Sequence, residues 1–183
     1  GQIYYFRDRK VTLPGGLIDR EDTSELLVET VANPTNAFSV RGNLKWDPDK
    51  GRASESGISL RYQPNMDTVF NLRYRHRKAR SIFQQDISQT DISARIPIRN
   101  NLALIGRWNY SLEENESVET FGGIEYESCC WKARLVHRRF KINDDSYEKN
   151  IQFQIMLKGF TDVGTPLGNV ISDSIKGYVD RDY

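Results

Sequence analysis

The stretch Phe38-Ser39-Val40-Arg41-Gly42-Asn43-Leu44-Lys45-Trp46 alternates apolar and polar residues with a period of two. Successive Cβ atoms of a strand point to opposite faces, so Phe38, Val40, Leu44 and Trp46 share one side. Ser39, Arg41, Asn43 and Lys45 share the other. The same pattern spreads outward along the chain. Ile58, Leu60 and Tyr62 repeat it, then Phe70, Leu72 and Tyr74, then Ile92, Ala94 and Ile96. It returns with Leu102, Leu104, Trp108 and Tyr110, with Val118, Ile124 and Tyr126, and with Ile151, Phe153, Ile155 and Leu157. Counting residues 1–6, 24–33 and 131–140 as well gives roughly ten strands, while helical spacing is scarce.

The junctions alternate in character. Asn33-Pro34-Thr35-Asn36, the Pro64 turn at residues 63–67, the turn at residues 97–101 and Ser128-Cys129 are compact, with Pro and Asn supplying turn geometry. The intervening junctions, at residues 7–23, 47–52, 78–84, 113–117 and 141–147, read as longer and more charged. Carboxylates gather there: Asp19, Glu21, Asp22, Asp47, Asp49, Glu113, Glu114, Glu116, Asp144 and Asp145. Tight turns at one end and extended loops at the other suit an outer-membrane barrel, with periplasmic turns and external loops. Tyr4, Tyr5, Trp46, Tyr62, Trp108, Tyr110, Tyr126 and Trp131 stand near strand ends, where interfacial girdles place aromatics.

The two strand faces differ chemically. Phe38, Leu44, Leu60, Leu72, Leu104, Ile124, Phe153 and Ile155 are expected against lipid. Arg41, Lys45, Arg61, Arg73, Arg75, Arg95, Arg107, Lys132 and Arg134 alternate with the apolar residues and are expected on a lumenal face. Burying so many cations without partners would cost several kcal/mol each, so this face meets water or a polar partner. A basic lumen suits a phosphorylated amphiphile or an acidic partner; rows of arginine paired with lumenal carboxylates are the plainer alternative.

Composition narrows the classes. The chain has 183 residues and a net charge of +1, with no dense basic run, so nucleic acid is not an expected partner. No apolar run reaches the ~18 residues of a membrane-spanning helix, and mean hydropathy is −0.63. A barrel strand needs only ~9–11 residues, half of them apolar, so hydropathy leaves a barrel open. The chain opens Gly1-Gln2-Ile3 without an apolar leader, and any export signal is expected to lie upstream or to have been removed.

The only two cysteines, Cys129 and Cys130, are adjacent. A trans peptide holds neighbouring Cα atoms ~3.8 Å apart, closer than the ~4.4–6.8 Å of ordinary disulfides, so a bridge between them would be strained. Two arrangements remain: a pair of thiols, or bridges to cysteines outside this chain, which an exported protein favours. Metal binding is not expected, since His76 and His137 lie on different strands without ligand spacing to the pair. Neither histidine has a neighbouring carboxylate to orient it, and Gly-x-Ser-x-Gly and phosphate-loop motifs are absent. No enzyme activity, catalytic residue or cofactor is expected.

Gly122-Gly123-Ile124-Glu125-Tyr126-Glu127-Ser128-Cys129-Cys130-Trp131 resembles the Gly-x-x-Tyr-x-Ser-Cys-Cys-aromatic segment of the lipopolysaccharide-assembly (LptD) family. Gly1-Gln2-Ile3-Tyr4-Tyr5-Phe6, Trp46-Asp47-Pro48, Gly106-Arg107-Trp108-Asn109-Tyr110-Ser111, Leu157-Lys158-Gly159-Phe160 and Ile175-Lys176-Gly177-Tyr178 resemble that family in the same order. The resemblance implies an all-β, antiparallel up-and-down transmembrane β-barrel, of which this chain supplies about ten C-terminal strands. It implies an outer-membrane translocon of a Gram-negative bacterium that assembles lipopolysaccharide into the outer leaflet. The partners it implies are lipopolysaccharide, the lipoprotein LptE as barrel plug, the periplasmic lipopolysaccharide-transport bridge and the barrel-assembly machinery. By the same resemblance, Cys129 and Cys130 bridge to cysteines of an N-terminal periplasmic domain. Ile151, Gln152, Phe153, Gln154 and Ile155 would form one wall of a lateral gate at the seam of first and last strands. Residues 1–160 are assigned to barrel strands and residues 161–183 to a tail on the periplasmic or lumenal side. The alternatives are a generic outer-membrane pore and a soluble β-rich binding domain.

Overall fold

The computed structural model describes residues 11–12, 18–19, 25–79, 85–143, 146–157 and 162–180. The expected strand at residues 1–6, with Tyr4 and Tyr5, lies outside the described residues, as do Glu21, Asp22, Asp144 and Asp145. Two short strands, β1 (Val11–Thr12) and β2 (Ile18–Asp19), pair with each other inside what the sequence presents as a long connection. The remaining strands form one antiparallel sheet. They are β3 (Leu26–Thr35), β4 (Phe38–Asp47), β5 (Arg52–Tyr62), β6 (Val69–Arg77), β7 (Ile87–Arg99), β8 (Leu102–Ser111), β9 (Glu116–Glu127), β10 (Trp131–Asn143), β11 (Ser146–Leu157) and β12 (Asp162–Gly164). Each pairs with its neighbours in sequence, giving a ten-stranded meander with β3 and β12 at its edges.

This is an open wall of an up-and-down barrel. Its strands of 9 to 13 residues in β3–β11 have the length that crosses a bilayer. No described helix is long and apolar enough to cross a membrane. The outer face carries Leu44, Ile58, Phe70, Leu104, Ile124, Leu135, Ile151, Phe153 and Ile155, all exposed. In water such a contiguous apolar surface would aggregate; in lipid it is the favoured exterior. Phe38, Leu60 and Leu72 share this face at intermediate exposure. Aromatics bound the band. Tyr62, Tyr126 and Trp131 stand at one end, with the Tyr126 and Trp131 rings 5.0 Å apart. Trp46, Trp108 and Tyr110 stand at the other, with the last two rings 5.4 Å apart. Phe38 and Trp46 are eight residues apart on one strand, which is about 26 Å along the chain and matches an apolar band ~25 Å tall when tilt is modest.

The end expected to carry long loops is tighter than the sequence suggests. Among the described residues, connections 48–51 and 112–115 span four residues each, and Asn143 and Ser146 already stand opposite each other in the ladder. The reason is that the strands continue past the apolar band. Lys141 pairs with Tyr147 and Ser111 with Glu116 in ladder register. Above the bilayer both faces meet water, so charged residues carry the ladder on without apolar alternation. There Lys141 Nζ bonds Glu114 at 3.0 Å and also Glu116, while Tyr147 Oη donates to Glu116 at 2.8 Å.

Past β11 the chain folds inward, an outcome the strand pattern does not contain. β12 adds to the edge of β11, with Gln154 opposite Gly164 and Met156 opposite Asp162. Gly164 has φ +106°, and a Cβ there would lie 2.4 Å from the Phe153 carbonyl, so only glycine allows this approach. Helix α1 (Leu167–Ser174) then crosses the inner face. Leu167, Ile171 and Ile175 recur at four-residue spacing, form one stripe and are fully buried. They pack with Val69, Ile105, Phe121, Val136 and Tyr178, which makes a small apolar core between sheet and tail. Each buried aliphatic contributes about 1.5–3 kcal/mol to holding the tail down.

Candidate functional site

All nine basic residues singled out from the sequence lie on the inner face, the one α1 covers. They divide into two groups. Lys45, Arg95, Arg107, Lys132 and Arg134 are held by carboxylates. Lys45 Nζ lies 3.2 Å from Glu55, and Arg107 reaches Asp91 at 2.5 Å and Glu119 at 3.0 Å. The other four, Arg41, Arg61, Arg73 and Arg75, make no ion pair among the described residues; Arg61 Nε donates to Asn71 at 3.2 Å and Arg75 to Gln89 at 3.1 Å.

The densest polar network is centred on Glu125, a residue that sequence reasoning did not single out. Its side chain is 1% exposed. Oε1 accepts from Arg95 Nε at 3.1 Å and Nη2 at 2.8 Å. Oε2 accepts from Arg134 Nε at 3.0 Å and from the Tyr178 hydroxyl, with Lys132 Nζ 3.6 Å away. Asp180 closes the network from the tail, accepting from Lys132 at 2.9 Å and from Arg134. Arg134 also donates to the Tyr178 hydroxyl at 2.7 Å and to Gln154 Oε1 at 2.9 Å, and the same Gln154 oxygen accepts from Leu167 N at 3.2 Å. Thus β7, β9, β10 and β11 are tied to the tail through one set of charges. Buried groups of this kind are tolerated only when every member is satisfied. Burial opposes ionisation of Asp180, but hydrogen bonds from Arg134 and Lys132 outweigh it and hold the carboxyl below its ordinary range. Burial first, then the charge of Glu125, keeps the Tyr178 phenol protonated well above its ordinary value.

The tail is pinned at a second place. Gly177 takes φ +90°, which turns its carbonyl to accept from Gln63 Nε2 at 3.0 Å, and the Lys176 carbonyl accepts from Asn71 Nδ2 at 2.9 Å. Only the Ile175-Lys176-Gly177-Tyr178 similarity signalled that these residues matter.

Cys129 and Cys130 occupy the turn between β9 and β10, both exposed, with Sγ atoms 2.7 Å apart. Ser128 N bonds the Trp131 carbonyl at 2.8 Å and closes the turn. The cysteines share an end of the sheet with the turns at 36–37, 63–68 and 100–101. On β11, Ile151, Phe153 and Ile155 project outward and Gln152 and Gln154 inward. Gln154 is buried and engaged, and the Gln152 Oε1 is buried without a hydrogen-bond partner. His76 Nδ1 lies 2.8 Å from Ser88 Oγ, and among the described residues no carboxylate bonds that imidazole. Nor does any described group of three or more His, Cys, Asp and Glu side chains gather as a metal would require.

Comparison with known proteins now bears on this wall of strands. Residues 1–102 match the family model described as LPS transport system D, LptD, which covers more than half of the chain. The chain belongs to the LptD family. Among relatives, it is 34% identical to the LPS-assembly protein LptD of Nitrosococcus oceani over 97% of the chain and 23% of that protein. It is 33% identical to the LptD of Marinobacter nauticus over 100% of the chain and 22% of that protein. With the LptD of Pseudomonas aeruginosa the identity is 31%, over 100% of the chain and 24% of that protein. The chain therefore spans about a quarter of the length of these LptD relatives. That fits the open edges of the sheet, because unpaired strand edges cannot stand in hydrocarbon and further strands must complete the wall.

Proposed function

We propose that this chain forms the C-terminal wall of an outer-membrane translocon that delivers lipopolysaccharide to the outer leaflet of a Gram-negative bacterium. One observation carries the reading: a family whose relatives are named for lipopolysaccharide assembly, found on a sheet with an apolar exterior and a charged, hydrogen-bonding interior. Such a wall separates lipid from a polar conduit, and that is the physical need of moving an amphiphile with a large polar head. In this reading the chain works without catalysis. LptE fills the lumen as a plug, the periplasmic transport bridge feeds the barrel from below, and the barrel-assembly machinery inserts it. Cys129 and Cys130, exposed at the turn end, face the periplasm and bridge to cysteines of the N-terminal domain.

The gate belongs to the same proposal. β12 already occupies the edge of β11 at Gln154–Met156, so a closing first strand has the edge from Ser146 to Phe153 to pair with. A disulfide between Gln152→Cys and a cysteine on the first strand would hold the seam shut. Cells that depend on the locked protein should lose surface lipopolysaccharide and regain it on reduction. Unchanged surface lipopolysaccharide on depletion of the protein would refute delivery itself. Normal export through a fully crosslinked seam would refute only the gate.

A further inference from the structure

Three of the four lumenal cations without carboxylate partners gather in one place, while Arg75 stands apart and bonds Gln89. Arg41 faces Ser59 across β4 and β5, and Ser59 faces Arg73 across β5 and β6, so the two arginines flank one serine in a single cross-strand row. At ~4.8 Å per strand their backbones stand about 10 Å apart. Arg61 sits in the adjacent row, between Ser39 and Asn71. All three line one cavity of 240 Å³ between the sheet and the tail, where Asp173, Ser174 and Lys176 form the far side.

The local charge is unbalanced. Arg41, Arg61, Arg73, Arg107 and Lys176 meet only two carboxylates, Asp91 and Asp173, around this cavity. Asp91 is taken by Arg107, at 2.5 and 2.8 Å. Glu55 is held by Lys45, and neither Glu29 nor Asp173 forms an ion pair with the three arginines. Elsewhere on the inner face Arg95, Lys132 and Arg134 are matched by Glu125 and Asp180 together with Asp67 and Glu127, so among the nine basic residues the mismatch is confined to β4–β6. Like charges held together at some cost imply a ligand that compensates them. Planar guanidinium forks, with the hydroxyls of Ser39 and Ser59 between them, fit a tetrahedral oxyanion. The cavity has room for a phosphate group on a sugar and too little for a segment of protein.

We infer that Arg41, Arg61 and Arg73 form a phosphate-binding site on the inner wall that holds a phosphomonoester of the lipopolysaccharide in transit. This rests on the function proposed above, and it names the part of the substrate that the wall recognises. Free phosphate offers the same chemistry, so the test has two arms.

In the first arm, purified full-length protein in its native complex is titrated with inorganic phosphate by calorimetry. Single Arg→Gln substitutions should weaken binding about tenfold each, as loss of one charge-assisted contact does, and the triple substitution should abolish it. The triple Arg→Lys variant keeps the charge and should retain measurable binding, which separates loss of the site from loss of fold. Equal binding by wild type and the triple Gln variant overturns the site. In the second arm, a photo-crosslinking residue replaces Ser59 in cells. It should capture lipopolysaccharide, with at least a tenfold lower yield in the triple Gln background. Capture of a protein in place of lipid overturns the inference, as does a yield indifferent to the substitutions. If depletion of the protein stops lipopolysaccharide delivery and Ser59 still captures none, the site falls and the transport function stands; if depletion leaves delivery unchanged, the function falls first.

Discussion

Glu125→Gln is the substitution that most sharply tests how the tail is held. The carboxylate is 1% exposed and faces Arg95, Lys132 and Arg134, with the Tyr178 hydroxyl donating to it. Gln preserves the shape but removes the charge and turns amide donors toward guanidinium donors. Removing one partner of a buried ion pair costs about 3–5 kcal/mol, because the remaining charges lose their compensation. Tyr178→Phe removes the hydroxyl that bonds Glu125 and accepts from Arg134, and both keep other partners. Its cost should be nearer 1.5–3 kcal/mol. The tail will not fall away wholly in either variant, since Leu167, Ile171 and Ile175 remain buried. Hydrogen exchange of full-length protein in lipid reads the effect at the Ile175 and Tyr178 amides, which bond the Ile171 and Ile175 carbonyls at 2.7 and 3.0 Å. At 1.4 kcal/mol per decade, exchange there should speed up by roughly two to three and a half orders of magnitude in Glu125→Gln and by one to two in Tyr178→Phe. Unchanged protection in Glu125→Gln, or a larger effect from Tyr178→Phe, would refute the assignment of Glu125 as the centre of the latch.

Other consequences can be measured separately. Leu104→Arg or Ile124→Arg on the outer face should cost about 2–4 kcal/mol in urea unfolding from bilayers, while Arg73→Gln on the inner face should cost well under 1 kcal/mol. Cysteines introduced at Asp49 and Glu114 should react with an impermeant maleimide on whole cells and one at Asn65 should not; the reverse pattern would invert the topology. The depressed Asp180 carboxyl stabilises tail docking fully above its unfolded value of about 3.9, and that contribution is lost only as pH falls through the lower folded value. Intrinsic-rate-corrected exchange of the tail should therefore be flat from pH 8 to 5, and a loss of protection near pH 6 would contradict the Arg134–Asp180 pairing.

Period-two patterning made the strands and their outward faces legible, because lipid on one side and water on the other is a requirement each residue meets locally. Leu44, Leu104 and Phe153 could be placed without any knowledge of neighbours. What the pattern hid was set by contacts distant in sequence. Glu125 reads as one more polar residue between Ile124 and Tyr126; only its pairing with Arg134 and Tyr178, 9 and 53 residues away, makes it central. Likewise α1 is eight residues with Gly168 inside it, a weak helix by propensity that packing against Val69, Phe121 and Val136 secures. Loop lengths misled because charged residues such as Glu116 and Lys141 continue the ladder beyond the apolar band. The basic row was visible, but its division into paired and unpaired members was not, since Asp91 and Glu119 look equally available to several arginines until register sets both beside Arg107, with Glu119 shared with Arg138.

The central claim, that one face of this sheet meets lipid and the other a polar interior, is tested most directly by spin labels placed along β5 and β6 of the full-length protein in bilayers. Labels at Ile58, Leu60 and Leu72 should be relaxed by oxygen dissolved in the hydrocarbon and shielded from a water-soluble nickel complex. Labels at Ser59 and Arg73 should show the opposite. Equal accessibility to both reagents on the two faces would contradict the barrel wall, and with it every functional inference drawn from its inner surface.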